Sequence, residues 1–242
     1  MGFGDEIAAN TEKIKKTEGW RIYKKIEALH VSKYVFEKNH EELFQAIKLF
    51  LTDNYKIMNT QEKGLNPFLY EISRLLHNYL SSAKTLIDHT RKIYQEEYEN
   101  TLFSKVYQNK IKETFTESPL AKFIQDLRNY SLHRNIPISG ASIDFLNKEG
   151  KEVFLVKKNL LDWNGWTNKS KKYIETCKDD IDMIHLINDY TKKVKEFQEW
   201  FVIKQKEIHK EELDELIALE RKGKQIKEKL IKKLEERFPK RN

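Results

Sequence analysis

The sequence predicts an all-α protein: an up-and-down helical bundle with a small β-hairpin insertion and a C-terminal extended helix. Three observations point there. Glycine and proline number 8 and 4 in 242 residues, about half of ordinary usage and far too few for the turns of an all-β chain. Charged residues make up 34% and hydrophobic residues 39%, a balance that suits long amphipathic helices. Apolar residues recur every three or four positions along most of the chain, which gathers them on one helical face. The length fits one large domain, or one domain with an appendage. We place a helical domain at 1–203, with its core at about 66–201, and a basic amphipathic tail at 204–242.

The elements follow in chain order. Residues 19–30 align Ile22, Ile26 and Leu29. Residues 39–58 repeat Phe44, Ile47, Phe50/Leu51 and Tyr55 at the same spacing. Asn66-Pro67 reads as a cap and a first helical residue. It opens a long helix to about Tyr98 with Phe68, Ile72, Leu75/Leu76, Tyr79, Ala83 and Leu86 inward. A shorter helix follows near 101–115. Ser118-Pro119 repeats the cap signature and opens a helix with Leu120, Phe123/Ile124 and Leu127 inward. That helix ends before Pro137, because the residue preceding a proline is pushed out of the helical region. Ile143–Leu146 and Val153–Val156 flank a Gly150-containing turn, a hairpin at about 141–157. Leu160, Trp163 and Trp166 read as an apolar plug under a loop. From about Ser170 a long helix turns Ile174, Ile181, Ile184, Ile187, Val194, Phe197 and Phe201 inward. The tail from about 204 carries Leu213, Ile217, Ile226, Leu230 and Leu234, with Gly223 as a weak point.

Several function classes drop out. The longest apolar runs are four residues, as in Trp200–Ile203, where a membrane helix needs about 20. The first residues show no apolar signal core, so a cytoplasmic protein without membrane contact is expected. The single cysteine, Cys177, excludes an internal disulfide and a multi-cysteine zinc site. No phosphate-cradling glycine loop and no His-Glu-x-x-His pair occurs, so we expect no cofactor and no metal. Asp179, Asp180 and Asp182 read as helix-start carboxylates facing the dipole.

Charge is uneven. The net charge is +7. Residues 221–242 hold ten Lys/Arg against three Glu, so the tail carries the whole excess, and any pull on polyanions sits there. Arginine is scarce, 8 against 37 lysines, which singles out each guanidinium as a candidate phosphate ligand.

One stretch combines such an arginine with acid–base chemistry: Asp126-Leu127-Arg128-Asn129-Tyr130-Ser131-Leu132-His133, late in the capped helix. Five positions on an ideal helix separate Arg128 from His133 by about 140° and 7.5 Å, whereas Asn129 and His133, four apart, share a face. His77-Asn78 on the preceding long helix is a second polar pair that could face the same cleft.

Arg128-Asn129-x-x-x-His133 at the end of a helix resembles the motif of the HEPN superfamily, whose members include bacterial toxins, abortive-infection proteins and CRISPR-associated nucleases. The resemblance is specific over about 118–136 and absent from the tail. It implies a HEPN-type bundle and a metal-independent endoribonuclease in phage defence or growth arrest. RNA would be the substrate, cut by attack of its own 2′-hydroxyl. His133 would move the proton, Arg128 would hold the phosphate and Asn129 would orient them. It also implies a homodimer whose two motifs form one composite site, and possible control by a protein inhibitor. Asn135 stands where some family toxins carry a tyrosine that a partner modifies. The hairpin is expected to flank the site. The competing expectation is a non-catalytic helical interaction or nucleic-acid-binding protein that works through its tail.

Overall fold

The computed structural model describes residues 2–59, 65–137, 139–143 and 151–238. The chain is mostly helical. In order it forms α1 (Phe3–Lys15), α2 (Glu18–Asn59), α3 (Asn66–Glu97) and α4 (Phe103–Ile111), the last running into a π-helical turn at Lys112–Thr116. Then come α5 (Pro119–His133), β1 (Ser139–Ile143), β2 (Lys151–Leu155), α6 (Lys157–Leu161), α7 (Asn168–Thr176), β3 (Ile181–Asp182), α8 (Met183–Ile208) and α9 (Lys210–Arg237). Among the described residues no helix is long and apolar enough to cross a membrane.

Two compact units emerge: Met1–His30 with Glu199–Asn242, and Val31–Gln198. The sequence reading divides the chain at 203/204. The structure instead draws the first thirty residues together with the C-terminal helices, because α1 supplies the face on which α9 packs. The Asn10 amide donates to the Leu219 carbonyl at 3.1 Å, and Lys233 lies over the Phe3 ring. Leu216 and Leu219 are the buried residues of α9, with Leu213, Gly223, Ile226 and Leu230 half-buried. The stripe thus runs 216, 219, 223, 226, 230, the alternating three-four spacing of a helix seam. The expected inward positions Ile217 and Leu234 are exposed. Gly223 is in the seam because the Asn10 amide approaches it: a Cβ there would meet the amide nitrogen at 2.8 Å.

In Val31–Gln198 the core is built from Phe36, Leu43, Ile47 and Phe50 of α2 and from Ile72, Leu76, Tyr79 and Leu86 of α3. Phe123 and Leu127 of α5 and Ile187 and Val194 of α8 complete it. Each such fully buried side chain contributes on the order of 1.5–3 kcal/mol. Residues 19–30 and 39–58 belong to one continuous helix. Leu43 takes the inward place expected of Phe44, which is half-buried like Leu51; the side chain of Tyr55 lies outside the described residues. The Tyr79 hydroxyl donates to the Ile187 carbonyl at 3.1 Å and meets the Thr191 hydroxyl at 2.8 Å. Burial pushes its pKa well up, against the Thr191 hydrogen bond.

The expected long helix from Ser170 is broken. Residues 177–182 leave the helix, and Ile181–Asp182 pairs antiparallel with Phe154–Leu155. The hairpin therefore becomes a three-stranded antiparallel sheet in the order β1-β2-β3. Its first strand starts at Ser139, opposite Leu155, and Ile143 faces Lys151; Asp144, Phe145 and Leu146 lie outside the described residues. The acidic run makes this break. Asp182 accepts the His185 amide at 2.7 Å as the cap of α8, and Asp180 accepts the Lys157 amide at the start of α6 at 2.8 Å. These carboxylates satisfy orphan helix donors.

Candidate functional site

Helix α5 is set by two local devices. At its start the Ser118 hydroxyl accepts the Ala121 amide at 3.3 Å, and Pro119 occupies the first turn. Along its inner face Phe123 and Tyr130 stack on Trp166 at 5.5 and 5.6 Å. The Trp166 indole donates to the Leu160 carbonyl at 2.7 Å. The plug expected at Leu160, Trp163 and Trp166 is thus the layer that fixes the rotation of α5.

The polar residues of α5 divide into two roles. Asp126 is buried and accepts three hydrogen bonds from the start of α7: the Thr167 amide at 3.0 Å, the Thr167 hydroxyl at 2.7 Å and the Ser170 hydroxyl at 2.6 Å. It serves the fold. Arg128 does not pair with it. The guanidinium is half-buried, and its Nε is shielded from solvent without a hydrogen-bond partner among the described residues. A shielded donor left without an acceptor is costly unless something else meets it.

Arg128 and Asn129 both line a cavity of about 380 Å³, within the size range of small-ligand sites. Its walls come from α3, α4, the π-helical turn, α5 and α8, and Phe115 and Thr116 enter it from the π-helical turn. Such turns recur at functional sites because the extra residue re-aims a side chain. Tyr94 and Tyr107 stack at 3.9 Å in its wall, with burial first among the causes that push Tyr107 up to about 12.

His133 is elsewhere. It ends the last turn of α5, is exposed, and does not line the cavity. Because α5 is regular through His133, that residue stands about 7.5 Å along the axis and about 140° around it from Arg128. The motif therefore has two addresses in one chain: Arg128 with Asn129 on the cavity wall, and His133 on the surface, five residues on. His77 and Asn78 are half-buried and do not line the cavity either. Among the described residues no strand residue lines it, and none forms a cluster of three or more His, Cys, Asp or Glu suited to a metal.

The cavity also holds residues the motif search passed over. Gln198 is 2% exposed, and its amide donates to the Thr90 hydroxyl at 2.8 Å. Both line the cavity. A readable signal exists for each. Gln198 falls four residues after Val194 on a largely apolar face, and Thr90 falls four after Leu86; a polar residue inside an apolar stripe marks a buried polar contact. Comparison with protein-family models, with curated proteins and with solved structures finds no match for this chain.

Proposed function

We propose that the protein is a metal-independent endoribonuclease of HEPN type, acting in defence or growth arrest. One observation carries the reading: Arg128 is a half-buried cation without a partner among the described residues, beside Asn129 and about one and a half turns before an exposed histidine on the same helix. Arg128 supplies the charge that a phosphate diester requires. His133 is accessible to a substrate too large to enter a cavity. In the proposed reaction a neutral His133 imidazole takes the 2′-OH proton. The 2′-oxygen then bonds to phosphorus and the bond to the 5′-oxygen breaks. That oxygen receives a proton from a protonated imidazole, leaving a 2′,3′-cyclic phosphate and a 5′-hydroxyl. A positioned imidazole typically supplies 10²–10⁴-fold in rate. The second imidazole comes from a second copy of the chain, which makes the active species a homodimer.

The test is end-labelled RNA incubated with purified protein in EDTA, beside His133→Ala. Wild type is expected to cleave RNA and leave DNA of the same sequence intact, and His133→Ala to lose cleavage with its fold retained. Equal cleavage by the variant, or none by wild type across several RNAs, overturns the reading. The second reading, a nucleic-acid-binding protein without catalysis, rests on residues 231–237 of basic helix α9, all exposed. It predicts an affinity that falls steeply with salt.

A further inference from the structure

We propose that the outward face of α2 is an interface with a second copy of this chain, the two α2 helices lying antiparallel across a two-fold axis. The proposal does not rest on the ribonuclease reading, and α5, which carries the motif, supplies none of its residues. It rests on an exposed apolar patch and on the order of the charges at its two ends.

One face of α2 is spent on the protein's own core: Leu29, Phe36 and Leu43 are buried. The opposite face exposes Val31 and Tyr34 at 60% each and Val35 at 45%. Spacings of three and four residues place the three side chains in one patch. A lone exposed apolar residue is ordinary, whereas a contiguous patch marks a surface that another molecule covers. Lys24 and Glu27 precede the patch on the same face, and Lys38 and Glu41 follow it. Each pair bridges along the helix, Lys24 to Glu27 and Lys38 to Glu41, the latter at 2.6 Å. Positions 24, 27, 31, 34, 38 and 41 thus keep the alternating three-four spacing of a helix seam.

The order of the charges selects the occupant. With two lysines and two glutamates the seam has no net charge, which disfavours a polyanion or an anionic lipid surface. In a pair of α2 helices running antiparallel about a centre between Ser32 and Lys33, residues equally far from the centre share a layer. Lys24 then meets the partner's Glu41, Glu27 meets the partner's Lys38, and Val31 meets the partner's Tyr34. The two apolar layers sit in the middle, and the layers on either side all join opposite charges. A parallel pair would instead set Lys24 on Lys24 and Glu27 on Glu27. A slip by one heptad would set charges against the apolar patch, so the pattern specifies direction and register together. The existing bridges hold the charged side chains along the helix. Closing the interface joins them into a four-charge ring at each end, and such networks contribute where isolated surface pairs do not. The surface is self-complementary, as a two-fold interface requires.

The test is sedimentation equilibrium of the full chain at up to about 100 μM, a range in which a small two-fold interface is populated. Wild type is expected to show an association step. Lys24→Glu with Lys38→Glu sets like charge against like in every charged layer, and so does Glu27→Lys with Glu41→Lys. Each double variant is expected to associate about tenfold more weakly or less. An equimolar mixture of the two is expected to restore the step, because every charged layer then again joins opposite charges. Circular dichroism shows that the variants keep their helices. Val31→Ser with Tyr34→Ser, at two exposed positions, is expected to weaken the step about tenfold as well and stands on its own if the charge variants unfold. His133→Ala is expected to associate as wild type does, so loss of cleavage and loss of this association are separable results. Three outcomes overturn the proposal: wild type monomeric throughout the range, variants that associate as wild type does, or a mixture that associates no better than its components. The second of these leaves a dimer through α5 standing.

Discussion

Asp126 and Arg128 sit two residues apart on one helix and illustrate how differently two charges can be used. Asp126 is buried under three donors of α7, so Asp126→Ala leaves those donors unmet. It is expected to cost about 3 kcal/mol, the range for breaking a buried hydrogen-bonded charge. Arg128→Gln removes a cation that supports no internal bond and is expected to cost less than about 1 kcal/mol. Urea unfolding of both variants checks this; a larger loss for Arg128→Gln would make it a structural residue and weaken the ribonuclease reading. His40 offers a pH test. Burial, partly offset by its 2.9 Å hydrogen bond to Asn188, lowers its pKa below the usual 6.5. The folded state therefore prefers the neutral ring. Its contribution is complete above the unfolded pKa and is lost as pH falls through the folded one. Stability is expected to drop more in wild type than in His40→Gln between about pH 7 and pH 5, read as the difference in their urea midpoints.

At the scale of elements, two glycines show how helices approach. A Cβ at Gly19 would stand 2.1 Å from the backbone carbonyl oxygen of Glu212, an atom that cannot move without moving α9. Gly19→Ala is expected to cost about 1–3 kcal/mol through overpacking. At Gly223 the obstacle is the Asn10 amide, the end of a side chain. Gly223→Ala is expected to cost less. Combined with Asn10→Ala it is expected to be less harmful than the two single losses added, because Asn10→Ala removes the amide that a Cβ at Gly223 would meet. Thermal midpoints of Gly19→Ala, Gly223→Ala, Asn10→Ala and the Asn10/Gly223 double variant test the ordering and the non-additivity. The interruption between α7 and α8 belongs here too. Local periodicity favours one long helix, but two aspartates that cap neighbouring helices and a strand partner at Phe154–Leu155 outweigh it.

At the scale of the molecule, the C-terminal helix is structural in its own unit as well as basic. Ending the chain after His209 would remove Leu216 and Leu219 from the face of α1. Amide hydrogen exchange is expected to show residues 3–15 losing protection in that truncation. Retained protection would mean that α1 is held without α9. A loss of RNA binding in the same truncation therefore needs a companion with its charges changed and its seam kept. Lys227, Lys229 and Lys232 to Gln serves that purpose.

The helical class, the inward faces of α3 and α5, the Ser118 cap and the tryptophan plug were all legible in the order of the residues. Each of these depends on neighbours three or four residues apart, and short-range spacing is written in the chain. The start of α3 shifts by one residue, to a cap at Leu65, within the ordinary fraying of helix ends. The rest depends on how distant segments meet. That α1 and α9 share a unit, that β3 joins the hairpin and that Gly223 is a close-approach site each depends on a segment remote in sequence. The candidate site divides in the same way. Arg128, Asn129 and His133 were legible because they lie on one turn and a half of one helix. The separation of His133 from the cavity was not, because the rotation of α5 is set by Trp166 and Asp126. Gln198 was not legible as a site residue either: its amide is held by Thr90, 108 residues away.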